Sequence, residues 1–357
     1  MIKVGTDFSG IGSPEQALIK LGIKHKSMFA CDYDKYAKQS YLANYNPETF
    51  YNDITTRNHN DTSYVDLYVA GFPCQAFSMA GKRQGFEDTR GTLFFDLLQY
   101  LKAKRPKYFI LENVKGLISH DGGKTFITIL DCLSKTINKQ YYISPYKESL
   151  GYHVYYKVLN TKDYGIPQNR ERVFIVGFRE EKHSFKFPKK IPLELKLKDI
   201  LQDNPNSKYY LSDKMIKGIE KSNFRERQPI DANGVCSTLK IGGDTPCFKV
   251  KSGALRPHPR DYNKKGIPRA ERIETRQDDL SNCITTDYKD SLIKGKRIRR
   301  LTPLECFRLQ GFPDSFHKKC VDAGLSDTQL YKQAGNSMTV DVMAYLIKEI
   351  LINEITE

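Results

Sequence analysis

With 357 residues, 39% hydrophobic and 28% charged, and a net charge of +15, the chain can bury a substantial core and is neither a disordered tail nor a low-complexity polymer. It contains no run of about 18 apolar residues for a membrane span, and Met1 leads straight into a strand-like pattern instead of a signal peptide, so the cytoplasm is the expected compartment. Eight cysteines without one Cys-x-x-Cys pair fit reduced thiols better than a disulfide framework or a zinc ribbon, and no metal is expected.

In chain order, residues 2–8 read as a strand, 13–21 as the helix behind it, 26–30 as a second strand and 34–44 as its helix. Strands are predicted at 66–70, 108–111 and 172–178, with helical spacing of apolar residues at 93–103 and 124–136. This alternation predicts an α/β domain over 1–186, with a doubly wound, mostly parallel sheet. Lys186-Phe187-Pro188-Lys189-Lys190-Ile191-Pro192 breaks the periodicity, and 187–325 read as a second, smaller, loop-rich domain. Residues 326–357 form a C-terminal segment in which 340–355 regain a helical pattern and are expected to pack back onto the first domain. The basicity is regional: residues 181–300 hold 28 Lys plus Arg against 16 Asp plus Glu, a net +12, which leaves +3 for the rest. A polyanion such as nucleic acid is one reading of that excess, and a Lys-rich solvated surface is the other.

Chemistry-bearing residues gather at the predicted ends of strands. Asp7-Phe8-Ser9-Gly10-Ile11-Gly12-Ser13 stands where the first strand meets the first helix, and Asp32 follows the second strand. Glycines there let a ligand approach the backbone, and the carboxylate is placed to accept from ribose hydroxyls. Ser13 follows Gly12 and no further glycine comes until Gly22, so the three-glycine dinucleotide fingerprint is absent, which favours a smaller nucleoside cofactor; a glycine turn by itself also serves as an ordinary structural turn. Cys74, in Gly71-Phe72-Pro73-Cys74-Gln75-Ala76-Phe77-Ser78, follows an apolar strand immediately and differs from cysteines expected in a core by its Pro and Gln neighbours. Glu112, in Glu112-Asn113-Val114, ends another apolar run, and Gln168-Asn169-Arg170-Glu171-Arg172 brings two guanidinium groups to the start of a third. Thiol, carboxylate and paired arginines at one sheet edge form a candidate catalytic set.

Taken in order with RRLTPLECFRLQGFPD at 299–314 and QAGNSMTVDV at 333–342, these segments resemble the ordered motifs of the C5-cytosine DNA methyltransferases of bacteria and phages over nearly the whole chain. The resemblance implies S-adenosylmethionine as cofactor and duplex DNA as substrate, with 187–325 as the target-recognition domain. It implies that Cys74 adds to C6 of a flipped cytosine, that Glu112 holds N3 and the exocyclic amine, that Arg172 contacts O2, and that Arg170 lies near the base or its phosphate. The cofactor would be held by Phe8, Gly10, Gly12, Asp32, Tyr33, Asp53, Phe72, Leu93 and Asn336, with Tyr33 stacked on adenine where the family often has Trp. The DNA would be met by Gln75 and Ser78, by Arg83 and Arg90 in a lid hinged at Gly81, Gly85 and Gly91, and by Thr238-Leu239 or Thr285-Thr286 in a recognition loop. A monomer is expected, with a restriction endonuclease as a separate partner or a solitary phage enzyme as the other form. Two further readings are a family branch that methylates transfer RNA and a catalytically dead DNA-binding relative.

Overall fold

The computed structural model describes residues 1–73, 93–145, 149–181, 185–212, 230–231, 236–237, 247–249, 254–256, 272–274 and 299–355. They divide into two units, the first made of Met1–Asn160, Glu171–Lys190 and Ser337–Glu357, the second of Thr161–Arg170 and Ile191–Asn336.

In the first unit the chain runs β1 (Ile2–Asp7), α1 (Ser13–Lys20), β2 (His25–Cys31), α2 (Lys35–Asn44), β3 (Thr49–Tyr51), β4 (Leu67–Ala70), α3 (Leu93–Lys104), β5 (Tyr108–Val114) and α4 (Lys124–Leu133). It continues through β6 (Ser134–Ile137), β7 (Gln140–Tyr141) and β8 (Tyr152–Asn160). After β9 (Gln168–Asn169), which lies in the second unit, β10 (Glu171–Phe178) completes the nine-stranded sheet, in the order β3-β2-β1-β4-β5-β10-β8-β6-β7. Strands β3, β2, β1, β4 and β5 are mutually parallel, β10 is antiparallel to both β5 and β8, and β7 is antiparallel to β6. The expected α/β architecture with a mostly parallel sheet is what the chain forms, with β10 reversed inside it and β7 reversed at its edge.

Local chemistry accounts for the element ends. Asp34 caps α2, its Oδ1 accepting from the N–H groups of Tyr36 at 2.8 Å and Ala37 at 3.4 Å. The helix expected over 124–136 stops at Leu133, because Ser134 turns extended and Ser134-Lys135-Thr136-Ile137 alternate in burial as a strand does. The core between sheet and helices is aromatic: Phe29, Tyr68, Tyr100, Phe109 and Tyr152 are fully buried, with Tyr68 stacked on Tyr100 at 4.9 Å.

The C-terminal helix, 340–355, which carries the expected helical pattern, belongs to the first unit. Lys20 of α1 pairs with its Asp341 at 2.5 Å, and the buried hydroxyl of Ser13 donates to the Met338 carbonyl at 2.9 Å.

The second unit holds short strands and the helices α5 (Pro303–Arg308), α6 (Asp314–Asp322) and α7 (Asp327–Asn336). It contains a buried ion pair in which both terminal nitrogens of Arg299 reach Glu305 at 2.8 Å. Glu305 also closes a reciprocal cap with Thr302 at the start of α5 and accepts the Gln202 N–H at 2.7 Å. Among the described residues no helix is long and apolar enough to cross a membrane.

Candidate active site

The site is built at the C-terminal ends of β1, β2, β4 and β5, the edge where open parallel sheets bind ligands. Beyond Asp7 the chain turns sharply, with positive φ at Phe8 (52°), Gly10 (53°) and Gly12 (81°). At Gly12 a Cβ would stand 2.3 Å from the Tyr45 ring, so this position tolerates no side chain on two counts. Ser9 fastens the turn to the neighbouring strand, its N–H and its hydroxyl each donating to the Cys31 carbonyl at 3.0 Å.

Asp32 then organises the space between the strands. Its Oδ2 accepts the Gly10 N–H at 2.7 Å and its Oδ1 the Asp34 N–H at 2.9 Å, while its own N–H donates to Tyr51 O at 3.2 Å. Tyr33, next along, is 84% exposed and offers a bare aromatic ring beside that carboxylate. Asp53 is half-buried after β3, its Oδ1 capping a turn by accepting from the N–H and hydroxyl of Thr55, both at 2.8 Å. Phe72 is buried against Phe94, and Leu93 packs partly buried on the same cluster at the start of α3. One turn further, burial pushes the Asp96 carboxyl up, and the negative charges of Asp53 and Asp7 push it the same way.

Beneath the turn lies a pair that no local pattern of residues announces. Arg57 reaches Asp7 with both terminal nitrogens at 2.7 Å, and Tyr68 donates to the same carboxylate at 2.6 Å. The guanidinium lies over Phe29, Tyr51 and Tyr100 at 4.8, 5.1 and 5.4 Å. Read as sequence, Arg57 is one more charged residue in a polar loop.

At the end of β5, Glu112 is buried and its Oε1 lies 3.1 Å from Nε of Arg172 on β10. The antiparallel register opposes Arg172 to Val114 and Phe174 to Glu112, so the two partners sit diagonally across the strands. Asn113 donates from Nδ2 to the Phe72 carbonyl at 2.9 Å, tying the end of β5 to the segment that leads towards Cys74. A Cβ at Gly71 would stand 2.9 Å from Cε of Met338, the flexible end of a side chain that could give way.

The remaining candidates fall elsewhere. Arg170 belongs to the second unit, where it is buried and its Nη2 donates to the Gly335 carbonyl at 3.1 Å; Asn336 is the last residue of α7 in that unit. Cys74, Gln75, Ser78, Gly81, Arg83, Gly85, Arg90, Gly91, Thr238, Leu239, Thr285 and Thr286 lie outside the described residues. Among the described residues no cluster of His, Cys, Asp or Glu suits a metal ion.

The family profile of the C-5 cytosine-specific DNA methylases matches residues 3–352. Type II methyltransferase M.NlaX of Neisseria lactamica is 37% identical over 98% of this chain and 96% of its own length. Type II methyltransferase M.HpaII of Haemophilus parainfluenzae is 38% identical over 96% and 87%. Orphan methyltransferase M.SPRI of Bacillus phage SPR is 33% identical over 98% and 97%. The S. pombe Dnmt2 methyltransferase shares the fold, with a TM-score of 0.68 over 100% of both chains at 18% identity. The chain belongs to the C-5 cytosine-specific DNA methylase family and is a DNA (cytosine-5-)-methyltransferase.

Proposed function

We propose that the chain methylates C5 of a cytosine flipped out of double-stranded DNA in the cytoplasm, with S-adenosylmethionine as methyl donor and Cys74 as a transient nucleophile. The observation that carries this reading is the Glu112–Arg172 pair at 3.1 Å, a carboxylate acceptor beside a guanidinium at a strand end whose Asn113 grips the Phe72 carbonyl, two residues before Cys74. A cytosine presents an amine and N3 to one partner and O2 to the other, which matches this arrangement of acceptor and donor.

The residues at the neighbouring strand ends suit a cationic nucleoside. Asp32 is fixed by two backbone N–H groups, Tyr33 offers an open ring, and the Asp96 carboxyl, raised by burial, is raised further by the charge of Asp53, which a positive ligand relieves. Phe8, Gly10, Gly12, Asp32, Tyr33, Asp53, Phe72 and Leu93 would hold it. When bound, S-adenosylmethionine supplies an electrophilic methyl group. The protein's part is to make the pyrimidine nucleophilic: the Cys74 thiolate adds to C6, Glu112 keeps a proton at N3 and so stabilises the added electron pair, and Arg172 orients O2. Once the methyl group is on C5, loss of the C5 proton sends the electron pair back and expels the thiolate from C6.

Duplex DNA containing 5-fluorocytosine tests the scheme, because fluorine cannot leave as the C5 proton does. Wild-type protein with S-adenosylmethionine gives a slower-migrating species on a denaturing gel, and Cys74→Ser gives none while keeping most of its DNA affinity. Wild-type protein that forms no adduct, or a Cys74→Ser variant that still methylates, overturns the thiolate route. Transfer RNA offered in place of the duplex serves as the competing substrate.

A further inference from the structure

The contacts beneath the turn form a closed circuit that joins the nucleoside-holding candidates to one another. Asp7 ends β1 and is followed at once by Phe8 at positive φ and by Gly10, whose N–H is held by Asp32 at 2.7 Å. Asp32 in turn hangs from the Tyr51 carbonyl at the end of β3. Two residues later comes Asp53, whose turn through Thr55 leads into Arg57. Arg57 closes the circuit by gripping Asp7 with two hydrogen bonds of 2.7 Å, and its planar face lies on Tyr51 from inside the same circuit.

We infer that Arg57 is a positioning residue for the nucleoside half of the cofactor, acting through Asp7 and Tyr51 to hold Gly10, Asp32 and Asp53 in register; the inference rests on the cofactor reading above. Arginine is needed for its shape. Both ends of a planar fork meet the two carboxylate oxygens while the flat face covers three aromatic rings, and a lysine ammonium can do only one of these at a time. The pair is sealed from water, with side chains 1% and 0% exposed, so no solvent molecule substitutes for a lost contact. Three cofactor segments that are separate in sequence, 7–12, 32–33 and 51–53, are thereby set by one side chain that touches no ligand.

Adenosine and S-adenosylhomocysteine are the probes, measured by calorimetry on the full chain without DNA. Arg57→Lys is expected to weaken both by at least about tenfold and by similar factors, since the loss is confined to the nucleoside half, while affinity for duplex DNA stays within about twofold. If Arg57→Lys does not fold, Asp7→Asn combined with Arg57→Gln retains hydrogen-bonding groups without buried charge and is read in the same way. A role in stability alone lowers the melting temperature and leaves both affinities unchanged well below it; that result in whichever variant folds, or failure of both variants to fold, overturns the positioning role. Wild-type protein that binds neither probe overturns the cofactor reading and the inference with it, whereas wild-type binding matched by the folded variant overturns the inference alone.

Discussion

Glu15 shows what a single side chain can hide in a sequence. It reads as an exposed acidic residue in the first turn of α1, yet it is fully buried, with Oε1 accepting the Tyr41 hydroxyl at 2.7 Å and Oε2 left without a protein partner among the described residues. Burial raises its carboxyl above the ordinary value, against the smaller opposing pull of Tyr41, His25 and Thr6. A carboxyl raised in the folded state stabilises the fold fully below its unfolded value, and that contribution is lost as the pH rises through the folded value. Glu15→Gln is therefore expected to raise the melting temperature by a few degrees at pH 8, with the gain vanishing towards pH 4. A gain independent of pH contradicts this reading. Arg57 belongs to the same class: an arginine that a carboxylate and three rings enclose is indistinguishable in sequence from one that faces water. Glu112 and Arg172 are the opposite case: one ends an apolar run and the other begins one, and the structure sets their side chains 3.1 Å apart.

At the scale of elements, the alternating apolar runs disclosed β1, β2, β4, β5 and the helices between them, since strands buried on both faces read as continuous apolar stretches. β10 matches the strand expected over 172–178, whereas β3, β6, β7 and β8 escaped. β8 begins Tyr152-His153-Val154-Tyr155, buried at four successive positions, so it shows no period of two, and its polar residues mask it as loop. β3 and β7 have three and two residues, too few to carry any periodicity. The reversal of β10 follows from how connections return to the sheet, which no local pattern encodes. Capping chemistry is more transparent: Thr302-Pro303-Leu304-Glu305 announces a helix start, and the structure adds that the same Glu305 neutralises Arg299. Replacing Glu305 by Ala removes cap and counter-charge together and leaves a guanidinium buried alone, an expected loss of about 3–5 kcal/mol in denaturant unfolding. A loss below about 1 kcal/mol, the worth of the cap alone, would mean that Arg299 finds another partner.

For the whole molecule, the uneven charge predicts how its two kinds of ligand respond to salt. The net +12 of residues 181–300 against +3 elsewhere places the phosphate-binding potential largely outside the strand ends that would hold the cofactor. Raising monovalent salt from about 50 to 200 mM is expected to weaken duplex affinity on the order of 10³-fold through counterion release, with S-adenosylhomocysteine affinity nearly unchanged. Parallel slopes for the two ligands in a salt titration contradict that division.

The hydrogen bond from Ser13 to Met338 spans 325 residues of sequence. On a ribosome moving at about 5–20 residues per second, α1 emerges tens of seconds before the carbonyl that its first side chain will hold. The first unit is thus begun by one segment and completed by another made 325 residues later, and a nascent chain stalled before residue 338 carries the glycine turn without the carbonyl that Ser13 holds.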